Sequence, residues 1–128
     1  MKIIRVGVTG GRDYPDKVHV WRSLDITKSR VELAGATMTL VVGDATGADQ
    51  HAFFWAAARG VTREFFVAEW KRFGNAAGPA RNKRMLDSGI DYLCAFPGGA
   101  ETANMKEICR KANVYVKEFS DKWRLLQK

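Results

Sequence analysis

Cysteine, proline and histidine are scarce in this chain: two, three and two of each in 128 residues. Cys94 lies in an apolar run and Cys109 in a helix-like stretch, without the short Cys/His spacing of a zinc site, so both are read as reduced core or near-core residues. His51 has no second histidine beside it on its alanine-rich segment; packing is the default, and no metal or cofactor is expected. Long apolar runs are missing too. Nothing is long enough to span a bilayer, and the start has no signal-peptide-like apolar stretch, so the expectation is a cytoplasmic protein without a membrane partner. Internal repeats, low-complexity segments and interdomain linkers are absent, which leaves one domain and no room for a second.

Acidic residues are also few, 14 against 21 Lys and Arg, giving a net charge of +7. The excess is uneven. Residues 59–84 hold seven basic and two acidic residues, residues 85–105 none and three, and residues 106–128 seven and three. Three readings fit this pattern: solvated helix faces, a site for a phosphate-bearing small ligand, or a nucleic-acid backbone. Charge alone does not separate them.

What the chain does have is alternation. Apolar runs at residues 3–8, 39–42, 63–68, 91–96 and 114–119 read as strands, with Arg5 as a polar exception placed near an edge. Between them, Pro15 and Asp16 open a helix whose face carries Val20, Trp21, Leu24 and Val31, with Gly35 closing it. Residues 48–59 read as a helix with Gly60 after it, and residues 101–112 as another. Pro79 suits the first turn of a helix that carries Arg81, Asn82, Lys83 and Arg84 and stops at Gly89. Residues 69–79 read as a long irregular, glycine-bearing connection of the kind binding loops make, with Trp70 and Phe73 either stacking on a base or pinning the loop to the core. The fold expected is α/β: a Rossmann-like three-layer sandwich around a mainly parallel five-stranded sheet over residues 1–119, followed by a basic tail, residues 120–128.

Three strand ends run into glycine: Thr9-Gly10-Gly11-Arg12-Asp13, Gly43-Asp44-Ala45-Thr46-Gly47, and Pro97-Gly98-Gly99-Ala100-Glu101-Thr102. A parallel sheet gathers such loops at its carboxyl edge, and ligands settle where the strand order reverses. For the order 3-2-1-4-5 the first and third of these loops would face each other. Gly10, Gly11, Gly98 and Gly99 then either offer backbone N–H groups to a phosphate or serve turn geometry alone. Arg12 and Arg81 either grip a phosphate or carboxylate, or form salt bridges to Asp13 or Asp44. Asp44 suits a ribose hydroxyl, Asp49 a helix cap, and Glu101 a favourable place at a helix N-terminus or catalysis.

These loops, with Ala77-Gly78-Pro79-Ala80-Arg81-Asn82-Lys83-Arg84-Met85, resemble in content and order the YspA-type, YpsA-related branch of the SLOG superfamily, over nearly the whole chain. The resemblance implies a Rossmann-like domain concerned with binding or processing nucleotides or their derivatives, in a superfamily that includes the LOG cytokinin-activating phosphoribohydrolases and the DNA-processing protein DprA. Residues 81–85 partly match the LOG Arg-Lys-x-x-Met element, with Asn82 in place of the lysine. Against the LOG Pro-Gly-Gly-x-Gly-Thr-x-x-Glu element, Glu101 stands at the third glycine and Met105 at the catalytic glutamate. Residues 43–52 resemble DprA's Ser-Gly-x-Ala-x-Gly-Ile-Asp run. The ligand-binding set expected is Thr9, Gly10, Gly11, Arg12, Gly43, Asp44, Gly78, Arg81, Asn82, Pro97, Gly98, Gly99 and Thr102, with Glu101 and Asp44 as candidate catalytic carboxylates. The function expected is sensing, carrying or processing a nucleotide-like small molecule. A phosphoribohydrolase-like N-glycosidase and a nucleic-acid-binding module are the alternatives. A homo-oligomer is expected, partly from the tail's apolar Trp123, Leu125 and Leu126.

Overall fold

A computed structural model describes residues 2–121; most of the tail, including Trp123, Leu125 and Leu126, lies outside them. The elements run β1 (Lys2–Thr9), α1 (Lys17–Leu33), β2 (Ala36–Gly43), α2 (Ala48–Arg59), β3 (Thr62–Phe66), α3 (Trp70–Phe73), a 3-10 turn (Gly74–Ala76), α4 (Ala77–Asp87), β4 (Tyr92–Ala95), α5 (Ala100–Lys111) and β5 (Tyr115–Glu118). The sheet order is β3-β2-β1-β4-β5 and every pairing is parallel. The strand order reverses between β1 and β4, which is the order under which the first and third glycine loops face each other.

The three layers follow from the period of two along buried strands. On β1 and β2, Val6, Val8, Leu40 and Val42 point into one core with Val20 and Leu24 of α1 and Trp55 of α2. Val41 points the other way, into a second core with Met85 of α4, Leu93 of β4, and Met105 and Cys109 of α5. Burial of each such side chain contributes roughly 1.5–3 kcal/mol. Both cysteines are free and buried, and burial pushes their thiols up to about 12 for Cys94 and about 11 for Cys109. Asp16 caps α1 by accepting the His19 N–H at 3.0 Å.

Two expectations are corrected. Residues 69–79 are not an irregular loop: α3, the 3-10 turn and the first turn of α4 occupy them, with Gly74 at φ 56° letting the chain change direction between short helical pieces. Arg5 does not sit on an edge strand, because β1 is central. Its side chain ion-pairs with Glu64 of β3 and donates to the Gly89 carbonyl at 2.6 Å and Ser88 Oγ at 3.0 Å, so local partners satisfy the charge.

Candidate functional site

The reversal point brings the β1–α1 and β4–α5 loops together. Gly11 N–H donates to the Pro97 carbonyl at 2.8 Å, and Phe96 N–H donates to the Thr9 carbonyl at 2.9 Å. Above this seam lies a cleft of about 630 Å³, walled by Gly10, Gly11 and Arg12 on one side and by Pro97, Gly98, Gly99, Glu101 and Thr102 on the other. Asp13, Tyr14, Pro15 and Ala100 complete the wall. None of these four was among the expected ligand-binding residues, although all adjoin the glycine runs.

The floor of the cleft is the start of α5. Gly99 is its N-cap residue, and no side chain caps it. The backbone N–H groups of residues 98–102 have no hydrogen-bond partner among the described residues. A helix N-terminus carries about half a positive charge and four orphan donors, so this wall is electropositive. Gly11 differs, since its N–H is already committed to Pro97.

The other expected residues form a layer beneath and beside the cleft. Arg81 projects from α4 over Gly43, whose missing side chain makes room for it: a Cβ there would lie 2.8 Å from the Arg81 guanidinium carbon. Arg81 is only 4% exposed. It pairs with Asp44 at 2.8 Å and lies 3.8 Å from Glu101 and 4.0 Å from Asp49. Its Nε has no hydrogen-bond partner among the described residues. The Asp44 salt bridge, one of the two roles open to Arg81, is therefore formed. Asn82 is also buried and donates to the Glu101 carbonyl at 3.0 Å and to Asn104 Oδ1 at 3.1 Å. Gly78 packs against the Glu101 carboxylate, and Thr9 is buried at the end of β1. Thr9, Gly43, Asp44, Gly78, Arg81 and Asn82 all lie outside the cleft wall, as the layer that holds it.

Arg12 is the exposed cation of the site. Its side chain is 45% accessible, donates to both Glu101 oxygens at 3.1 and 3.2 Å, and lies 4.8 Å over the Trp70 ring. Trp70 and Phe73 are exposed and so do not pin α3 to the core. Lys83 pairs with Asp87 at the surface, and Arg84 donates to the Val67 carbonyl. Met105 is buried among apolar side chains, so the position of the LOG glutamate holds no carboxylate.

Asp49 corrects an expectation. Gly47, not Asp49, is the N-cap residue of α2, and the Asp49 carboxylate turns back to accept the Ala45 N–H at 3.2 Å. Burial is the main reason its pKa is pushed up to about 7, with the Arg81 charge and the Ala45 hydrogen bond opposing the rise. The folded state thus binds this proton more tightly than the unfolded chain, whose carboxyl titrates near 3.8. The associated stability is complete below the unfolded pKa and is lost as pH rises towards 7. Relative to wild type, Asp49→Asn is therefore expected to gain stability between pH 4 and pH 7 and to hold that gain above. Urea melts at pH 4, 5.5, 7 and 8 check this; a difference independent of pH would contradict it.

The YspA, cpYpsA-related SLOG family profile matches residues 4–73, from β1 through α3. Among curated proteins, "Gene 61 protein" of Mycobacterium phage D29 is 34% identical over 125 residues, covering 92% of this chain and 98% of that protein. No solved structure matches the chain. No helix of the described residues is long and apolar enough to cross a membrane. The profile match takes in the glycine loops after β1 and β2, the phage relative spans nearly the whole sequence, and on these grounds the chain belongs to the YspA, cpYpsA-related SLOG family.

Proposed function

We propose that the protein binds a nucleotide or nucleotide-derived ligand at the carboxyl edge of its sheet, with the phosphate in the β1–β4 cleft and the ribose towards Asp44. One observation carries this reading: the N–H groups of residues 98–102, unpartnered among the described residues, open α5 inside a cleft whose opposite wall carries Arg12. Family membership supports a nucleotide-related ligand over other anions. The reading covers a sensor, a carrier or an enzyme. Glu101 favours the enzyme as a second reading, because its carboxylate lies on the cleft wall, where N-glycosidic hydrolysis needs one near the sugar.

Native mass spectrometry of the gently purified protein, followed by denaturation and identification of any released molecule, tests the binding. A thermal-shift panel of nucleoside monophosphates tests its specificity. Arg12→Ala removes an exposed ion pair, so its own stability should stay within about 1 kcal/mol of wild type. The ligand-induced shift should vanish in this variant. Protein that is empty and unresponsive to the panel would sink the small-molecule reading, and a steep salt dependence of oligonucleotide binding would then favour the basic surface. Release of free base, lost in Glu101→Gln, would make the binder a hydrolase.

A further inference from the structure

A second, smaller pocket opens beside the cleft at the carboxyl ends of β2 and β3, with a volume of about 230 Å³. Its chemistry differs from the cleft's. Phe53 and Phe54 of α2 and Phe65 of β3 line it, together with Asp44, Thr46 and Gln50. The Phe53 ring lies 5.3 Å from Phe65 and 5.9 Å from Phe54, in edge-on arrangements. Phe54 and Phe65 remain 53% and 50% exposed, so apolar ring surface is left in water next to a polar edge. The two sites touch. Thr46 lines the pocket, Arg12 lines the cleft, and the Thr46 hydroxyl donates to the Arg12 carbonyl at 2.7 Å.

We infer that this pocket is a nucleobase subsite: the Phe54 and Phe65 rings stack a planar heteroaromatic base whose phosphate occupies the adjoining cleft. The inference rests on the nucleotide reading above and sharpens it, because it makes the ligand a nucleotide with its base intact rather than a phosphorylated sugar. Aromatic walls accept any base by its π-face, and stacking against them desolvates ring surface on both partners. Asp44 stands where base and cleft meet. One of its oxygens is held by Arg81, and the other has no partner among the described residues and is open to a ribose hydroxyl. The Gln50 amide supplies both a donor and an acceptor to the base edge.

Calorimetric titration with AMP, GMP, CMP, UMP and ribose 5-phosphate tests the inference on wild type, Phe54→Leu, Phe65→Leu and Arg12→Ala. Leucine keeps apolar bulk and removes the ring. Each leucine variant should weaken the preferred monophosphate about tenfold, in line with base stacking on an aromatic side chain, and leave ribose 5-phosphate binding unchanged. Arg12→Ala should weaken both ligands. Monophosphate affinity unchanged in both leucine variants, but lowered in Arg12→Ala, would overturn the base subsite and spare the phosphate cleft. Equal loss of monophosphate and ribose 5-phosphate in the leucine variants would also overturn it. If wild type bound none of the monophosphates, the nucleotide reading and this inference would fall together.

Discussion

Arg81→Ala should cost about 3–5 kcal/mol of folding stability, the range for removing one partner of a buried ion pair. The reason is local. The guanidinium lies 2.8 Å from Asp44, 4.0 Å from Asp49 and 3.8 Å from Glu101, which Arg12 also holds at 3.1 Å, in a layer where Arg81 and Asp49 are both buried. Alanine leaves Asp44 and Asp49 without their cation, while Glu101 keeps Arg12, and opens the space above Gly43. Arg81 also opposes the burial that raises the Asp49 pKa, so its removal drives Asp49 further up and widens the pH range over which stability falls. The deficit should therefore be larger at pH 8 than at pH 4. Urea unfolding at the two pH values measures it, and a loss below about 1 kcal/mol would show that the network is not held as the geometry has it. One practical consequence follows: lost ligand binding in Arg81→Ala would report a damaged scaffold, whereas the exposed Arg12 reports the site.

Gly47→Ala is the second large effect, expected at 3 kcal/mol or more, because two independent costs fall on one residue. Gly47 sits at φ 72°, ψ −125°, a backbone conformation available to glycine and strained by 1–3 kcal/mol or so in other residues. A Cβ there would also run into the Gly11 carbonyl oxygen and lie 2.5 Å from that of Arg12. Those carbonyls belong to the β1–α1 loop, and they already accept the Ala48 N–H at 3.2 Å and the Thr46 hydroxyl at 2.7 Å. The β2–α2 loop must therefore back away from the cleft wall. Gly60→Ala provides a reference: at φ 66°, ψ 29° it is in the left-handed helical region, which costs alanine only about 1–2 kcal/mol, and nothing lies within 4 Å of a Cβ, so it bears a milder strain and no collision. In thermal unfolding of the two variants side by side, Gly47→Ala should be clearly the more destabilised. Equal destabilisation would mean that the contact between the loops contributes nothing.

Much of the fold was legible because each apolar run is short and ends in a residue that breaks it. α2 begins and ends where the Ala48-to-Arg59 pattern and Gly60 put it, and the parallel order follows from strands alternating with helices. Residues 69–76 were not legible as helix. One glycine and two aromatics in a short stretch carry no helical period, and the helical pieces found there are only three and four residues long. The two glycine walls of the cleft could be paired in advance, since both follow strands that flank the reversal point. The aromatic pocket could not, because Phe53 and Phe54 belong to a helix and Phe65 to a strand, and their meeting depends on how α2 packs across β3.

The sequence by itself determined the class of the fold and the sheet edge at which its glycine loops gather. These depend on local grammar: hydrophobic period, glycine and proline punctuation, and the handedness of crossovers. Only the tertiary structure decided which charges face solvent. Arg12 and Arg81 read alike in the sequence, each a basic residue in or near a glycine motif. Yet Arg81 is buried against Asp44, 37 positions away, while Arg12 pairs with Glu101, 89 positions away, at the exposed rim. How deeply a guanidinium is buried with its carboxylate is set by what packs over it from distant parts of the chain, and no local pattern carries that information.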